Sequence, residues 1–220
     1  MDAITCITDR RSIRAFRKTP VPEELLREII DTARWSPSYK NSQPWQVMVI
    51  SGEKKDGLSK MMIDLLENGT PPCPDIPAPA SWPEAEQARI DYLMAKRKEL
   101  TGMDLTDPAI IAKAKKANFS FYNAPHAIYL YQDSSLSPWS LFDLGLFAQT
   151  LMLAAQAKGI GTVPQAFVTD YAPQIKEYLG IPADKRLVMG LSAGYPDMDA
   201  PANSYRTERS PAEEIATFAE

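Results

Sequence analysis

Three arginines crowd around a serine in the segment Arg10-Arg11-Ser12-Ile13-Arg14-Ala15-Phe16, and Arg206 and Arg209 form a second basic pair near the other end of the chain. Guanidinium groups are permanently charged and present rigid donor forks, a serine hydroxyl adds a donor, and a turn exposes backbone N–H groups. That set suits a phosphate or another small anion. Taken alone, the segment reads equally well as a solvated basic turn. The chain carries a formal net charge of −4, so two basic ends in an acidic protein point to a small anionic ligand. A nucleic acid would call for an excess of Lys and Arg on one face. A second segment, Ser36-Pro37-Ser38-Tyr39-Lys40-Asn41-Ser42-Gln43-Pro44-Trp45, combines small and amide-bearing residues with a Pro-Trp pair ahead of a strand. Such a loop can approach a flat ligand closely and donate hydrogen bonds to it.

Other chemistries are poorly served. The only histidine is His126, and the two cysteines, Cys6 and Cys73, are far apart and outside any C-x-x-C pattern, which points away from metal, iron–sulfur and disulfide frameworks. A hydrolase or acyltransferase built on His126 lacks a G-x-S-x-G elbow; following Ala124-Pro125 at a strand entrance, His126 reads as structural. Trp82, Tyr92 and Met94 fit a pocket wall or simple helix packing. Lys96, Arg97 and Lys98 read as a solvated face.

The elements that must position these residues follow from capping and periodicity. Asp2 reads as an N-cap for a helix over residues 2 to 10 that delivers the arginine cluster. Pro22, Glu23 and Glu24 open a second helix over 22 to 35, with Leu25, Leu26, Ile29, Ile30 and Ala33 at helical spacing. Gln46 to Ser51 reads as a buried strand and 53 to 68 as a helix. Residues 70 to 83 are too proline-rich for regular structure, and 84 to 118 are helical, broken near Gly102 and Pro108. The stretch 70–118 is expected to be an inserted lid within one domain spanning 1–220. Further strands are expected at 127 to 131, 162 to 167 and 187 to 195. The helix over 138 to 158 is apolar nearly all round; Asp143, Gln149 and Gln156 argue against a membrane span and leave a subunit interface as its place. The segment 200–220 is too polar for its own core and must pack on something else. The order α-α-β-α-β-α-β-α-β gives an α+β or three-layer arrangement. Charges within the first dozen residues exclude a secretory signal, so a cytoplasmic protein is expected.

With these motifs in place, the chain resembles the nitroreductase family over nearly its whole length. RRSIRAF, the N-S-Q-P-W turn, F-Y-N-A-P at 121 to 125, G-I-G-T-V-P-Q-A at 159 to 166 and R-T-E-R-S-P at 206 to 211 occur in the order that family uses. The resemblance, nearest to members acting on nitrobenzoate-like aromatics, implies an α+β, three-layer α/β/α fold with a small central mixed sheet and an intertwined homodimer binding FMN at its interface. It further implies NADH or NADPH as electron donor, a small aromatic electron acceptor of the nitroaromatic or quinone-like class, and ping-pong two-electron chemistry through flavin N5 with no catalytic side chain required. Arg10, Ser12 and Arg209 match phosphate-holding positions, with Arg206 and Arg11 beside them. Arg14 matches a basic position at the pyrimidine end of the flavin. Pro37, Ser38, Tyr39 and Asn41 match the stretch that reaches FMN from the partner subunit, and Asn118 and Gln149 are further matches. Pro164, Gln165 and Ala166 match the segment whose backbone addresses N5 and whose side chains cover a ring face. Pro-Gln-Ala stands where several members carry Glu-Gly, and Tyr39 replaces a smaller residue, so the shape over the flavin differs. A flavin reductase, a dehalogenase and a non-catalytic flavin-binding protein are the alternatives on the same fold.

Overall fold

The computed structural model describes residues 1–104 and 106–219; residue 105 of the expected insertion and residue 220 of the C-terminal segment lie outside the described residues. Helices α1 (Ala3–Asp9) and α2 (Glu23–Ala33) precede strand β1 (Gln46–Ser51), and α3 (Gly52–Glu67), α4 (Glu84–Thr101) and α5 (Pro108–Phe119) separate it from β2 (His126–Asp133). Then come α6 (Trp139–Ala157), β3 (Gly161–Gln165), α7 (Ala172–Leu179), β4 (Lys185–Gly194) and a single turn of helix, α8 (Ala212–Ile215). The helix starts follow from their caps. Asp2 accepts from Thr5 N at 3.1 Å, and Asp107 accepts from Ala109 N at 2.8 Å ahead of Pro108. Gly102, at φ 69°, ends α4 in the left-handed region that glycine adopts at no steric cost.

The four strands pair in the order β1-β2-β4-β3. Every pairing between them is antiparallel, which corrects the expected mixed sheet. The parallel component is confined to an isolated bridge between Ser12 and Thr162. Each connection between sheet neighbours is long enough to reverse direction through a helix, so nothing forces the parallel pairing of βαβ units.

Strand β2 is the centre of the molecule, buried along most of its length. Its side chains alternate between faces with the period of two that strands impose. Ile128 and Leu130 join Leu26, Ile29 and Ala33 of α2 and Leu144, Phe147, Ala148 and Leu151 of α6 on one face. Ala127 and Tyr129 join Leu58 and Met62 of α3, Phe119 of α5 and Ile175 of α7 on the other. This is the helix–sheet–helix layering expected of the chain.

Strand β2 extends beyond the expected residues 127 to 131 at both ends, from His126 to Asp133. Gln132 is fully buried and donates to Ser140 Oγ at 2.8 Å, so the strand runs past the apolar stretch 127 to 131. His126 is buried, and its Nε2 accepts from Val21 N at 2.9 Å. It serves as an acceptor for the backbone; of the two cysteines, Cys6 donates to Leu153 O and Cys73 is exposed. Burial, aided by the positive charge of Lys55, lowers the imidazole pKa against the opposing effect of the Val21 bond. A lowered folded-state pKa means the unfolded chain binds the proton first. Stability is therefore fully present above about pH 6.5 and falls as pH drops toward the lower folded value, by up to about 1.4 kcal/mol per pH unit from this group. Urea midpoints between pH 7.5 and 5 should fall, and the fall should flatten in His126→Gln; an equal slope in both proteins would remove His126 as its source.

Candidate functional site

Backbone pairing assembles the site from distant segments. Ile13 N donates to Thr162 O at 3.0 Å, and the approach is tight because residue 161 is glycine: a Cβ there would lie 2.8 Å from Ile13. Because the Ser12–Thr162 bridge is parallel, the chain running from Ser12 to Arg14 points the same way as that from Thr162 to Pro164. The bridge sets the arginine segment alongside the start of the strand that leads into Pro164-Gln165-Ala166. Arg14 N donates to Asn203 Oδ1 at 2.7 Å, and Asn203 Nδ2 donates to Ala15 O and Asp197 O. Asn203, 1 % exposed, thus ties the basic N-terminal segment to the C-terminal one. No motif announced it, since a lone Asn in a polar tail carries no periodic signal.

Arg10, Arg11, Gln149, Arg206 and Arg209 line one cavity of about 420 Å³, together with Ile7, Thr8 and Thr207. Arg10 Nη1 is buried without a hydrogen-bond partner. Burial first, and the neighbouring Arg209 charge second, hold the Arg10 pKa below the usual arginine value. Among the described residues only Arg206 of this group has an ion pair, 3.6 Å to Asp9. Arg209 satisfies one nitrogen on Thr207 and Glu208 carbonyls, and Arg11 reaches the Met198 sulfur. Two facing guanidiniums with a buried, unsatisfied donor and no carboxylate between them are what a dianionic phosphate would compensate. The residues present fit FMN at this end.

The Pro164-Gln165-Ala166 segment departs from expectation in one respect. Gln165 is 3 % exposed, and its side chain is hydrogen-bonded within the protein. Ser192 Oγ donates to Gln165 Oε1 at 2.5 Å, and Gln165 Nε2 donates to Asn118 O and Oδ1 at 3.1 and 3.2 Å. Asn118 in turn donates to Ala114 O at 2.9 Å. Period-two alternation along β3 explains the direction: Gln165 shares its face with buried Val163, leaving half-buried Pro164 and exposed Ala166 as the accessible neighbours. Opposite Gln165 in the register stands Gly190, where a Cβ would lie 2.2 Å from Val168 Cγ2, so this pairing holds the turn after β3 close to β4.

Pro37, Ser38, Tyr39 and Asn41 do not line the Arg10 cavity. Their loop is held in shape by Asp143, 4 % exposed on α6, whose Oδ1 accepts from Tyr39 N at 3.1 Å, and by Gln43 N donating to Ser38 Oγ at 2.9 Å. Lys40, Asn41 and Gln43 have φ of 52°, 57° and 48°. Non-glycine residues in this region cost about 1–2 kcal/mol each, so these bonds must over-determine the loop. The Phe121-Tyr122-Asn123 turn is left-handed too, at φ 53°, 52° and 57°. Buried Phe121, packed edge-on to Tyr129 at 6.2 Å, anchors it. Asp143 had a sequence signal, as the only charge inside an apolar helix.

The expected solvated face at 96 to 98 is only partly so. Lys96 pairs with Glu99 at 3.1 Å and Lys98 with Asp104 at 2.6 Å, whereas Arg97 is half-buried and has no ion pair among the described residues. Tyr92 Oη donates to Glu208 Oε2 at 3.1 Å, so α4 lies across the C-terminal segment. Among the described residues no helix is long and apolar enough to cross a membrane, and no group of His, Cys, Asp and Glu could hold a metal ion.

Comparison with known proteins agrees with this geometry. The profile of the Nitroreductase family matches residues 7–195. A 4-nitrobenzoate reductase of Pseudomonas putida is 35 % identical over 212 residues, covering 96 % of this chain and 93 % of the relative. A nitrobenzene nitroreductase of Ectopseudomonas oleovorans is 30 % identical over 216 residues, covering 96 % and 94 %. The crystal structure of the FMN-dependent nitroreductase NfnB from Mycobacterium smegmatis in complex with NADPH superposes with a TM-score of 0.94 at 32 % identity, covering 99 % of this chain and 98 % of that one. Fold, motif order and full-length identity therefore agree, and the chain belongs to the nitroreductase family.

Proposed function

We propose that this protein is an FMN-dependent oxidoreductase that uses NADH or NADPH to reduce nitroaromatic or quinone-like acceptors. The observation that carries the reading is the uncompensated Arg10–Arg209 pair, with Arg10 Nη1 buried and unsatisfied, at one end of the Ser12–Thr162 bridge. Arg10, Ser12, Arg206 and Arg209 hold the phosphate, with Arg11 and Gln149 completing the cavity. Arg14 stands at the pyrimidine end, and the backbone of Pro164, Gln165 and Ala166 faces the ring, with Asn118 bracing Gln165 from behind. Bound FMN supplies the two-electron redox chemistry; the protein supplies binding, orientation and electrostatics.

The working unit of this reading is a homodimer. Trp139 and Phe142 are 64 % and 62 % exposed on α6, close to exposed Tyr39, which stacks on Trp139 at 6.3 Å. Trp35, Ile4 and Ile7 add further exposed apolar surface. Large apolar side chains at this density mark a protein–protein contact. A second copy here covers them and brings its loop of Pro37, Ser38, Tyr39 and Asn41 to the flavin. Residues 70–118 wall the acceptor side as an insertion in a single domain.

The purified protein should be yellow. Anaerobic NADH or NADPH should bleach the flavin absorption, and 4-nitrobenzoate should restore it. Parallel double-reciprocal lines are expected for donor and acceptor. Flavin that stays oxidised with both nicotinamides would reduce the protein to a flavin binder, and intersecting lines would overturn the ping-pong order.

A further inference from the structure

Asp143 is the only charged residue of α6, and it is 4 % exposed with no ion pair among the described residues. A carboxylate withdrawn from water without a counter-charge is costly. The donor it meets is a backbone group, the Tyr39 N–H at 3.1 Å.

That bond is the middle one of three contacts at successive turns of α6. The Tyr39 ring stacks on Trp139 with 6.3 Å between centroids, Tyr39 N donates to Asp143 Oδ1, and the Trp45 ring stacks on Phe147 at 4.9 Å. Trp139, Asp143 and Phe147 are four residues apart and so share one face of the helix. The chain from Tyr39 to Trp45 is therefore laid along that face and held at both ends. Between the fixed points lie Lys40, Asn41 and Gln43, all with positive φ. Non-glycine residues leave that region when nothing holds them there, so the shape of the loop depends on its anchors. Stacked rings tolerate sliding, whereas a hydrogen bond fixes a direction. The Asp143 bond acts on the backbone immediately before the first positive-φ residue. The loop so shaped lies outside the Arg10 cavity, and its Tyr39 is 59 % exposed, open to a second molecule.

We propose that Asp143 is a positioning residue for the flavin site of a second copy of the chain: it sets the loop that the dimer carries across its interface, so the FMN affinity of one copy depends on Asp143 of the other. The inference rests on the proposed homodimer and flavin reading and goes beyond it in assigning this dependence to one buried carboxylate.

Mixed dimers test it. Asp143→Ala and Arg10→Ala chains with different tags are co-expressed and isolated as the heterodimer, and FMN binding is followed by quenching of flavin fluorescence. Asp143→Ala alone is expected to weaken FMN binding roughly ten- to a hundredfold, because only the fraction of loops in the competent shape contributes. Asp143→Asn keeps an oxygen acceptor and is expected to stay within about threefold of wild type. In the mixed dimer one site receives an intact Arg10 and an intact loop, and the other receives neither. One FMN per dimer is therefore expected at wild-type affinity. Two weakened sites, as when Asp143 serves its own chain, would overturn the proposal, and so would wild-type affinity in the Asp143→Ala homodimer. A measurement on the unaltered protein covers a variant that fails to fold: in FMN-free protein the Tyr39 amide hydrogen should exchange at least about tenfold more slowly than that of exposed Lys40, after correction for intrinsic rates. Equal exchange at both would overturn the anchoring role. Failure of the underlying reading shows elsewhere, in a wild-type chain that takes up no FMN or stays monomeric with FMN bound, and either result overturns the proposal with it. Failure of the proposal alone leaves a flavin-loaded wild-type dimer beside a mixed dimer with two weak sites.

Discussion

Arg10→Ala is expected to weaken FMN binding by roughly ten- to more than a hundredfold while leaving the apoprotein at least as stable as the wild type. The two halves of this result have one cause. In the folded protein Arg10 Nη1 is buried without a partner, and the facing Arg209 charge repels it. Removing Arg10 relieves a desolvated donor and a like-charge contact in the apo state. With a phosphate present the same donor makes charge-assisted bonds worth about 1.5–3 kcal/mol each, and every 1.4 kcal/mol is tenfold in affinity. Quenching of flavin fluorescence gives the affinity. Melting with and without excess FMN gives the linkage, because the ligand-induced rise shrinks as the dissociation constant grows. Arg10→Lys keeps the charge but loses the fork and should lie between. Unchanged FMN affinity in Arg10→Ala would place the phosphate elsewhere, and an apoprotein destabilised as much as the complex would make Arg10 a packing residue.

Gln165→Leu is the second substitution with a large expected effect, and it acts on the scaffold. Leucine preserves much of the volume but leaves Ser192 Oγ without its acceptor and the Asn118 oxygens without their donor, in a site that is 3 % exposed at residue 165 and closed at Ser192. Each buried polar group left unsatisfied costs about 1–3 kcal/mol. A loss of roughly 2–4 kcal/mol in urea titration follows, a few degrees of melting temperature for each kcal/mol in a chain of this size. Because Gln165 couples α5 to β3 through Asn118, the Ala166 backbone should also loosen, read as faster hydrogen exchange at residues 166 to 169. Stability within about 0.5 kcal/mol of wild type would mean the network is dispensable.

Much of the scaffold was legible because its signals are local. Asp2 and Pro22 mark helix starts, the helical stretch 84 to 118 breaks near Gly102 and Pro108 as expected, and Gln46–Ser51 is a strand at the residues its composition suggests. Each signal acts on hydrogen bonds within four or five residues, so no distant partner is needed to read it. The bounds of α7 were not readable in this way, for its start at Tyr171 has no side-chain cap. The ends of β2 were hidden because His126 and Gln132 are polar, and their burial depends on Val21 and Ser140.

The sequence by itself determined which residues could bind an anion, where most of the regular elements lie and, through the resemblance of five ordered motifs, the family. Those are properties of residue type and short spacing. Only the tertiary structure decided how the strands pair, that Gln165 turns inward while Ala166 stays accessible, and that Arg10 and Arg209 line one cavity. Strand direction, side-chain face and charge compensation are set by segments remote in the chain. A solvated arginine and a desolvated one have identical spellings, and the difference between them lies in what the fold packs around each.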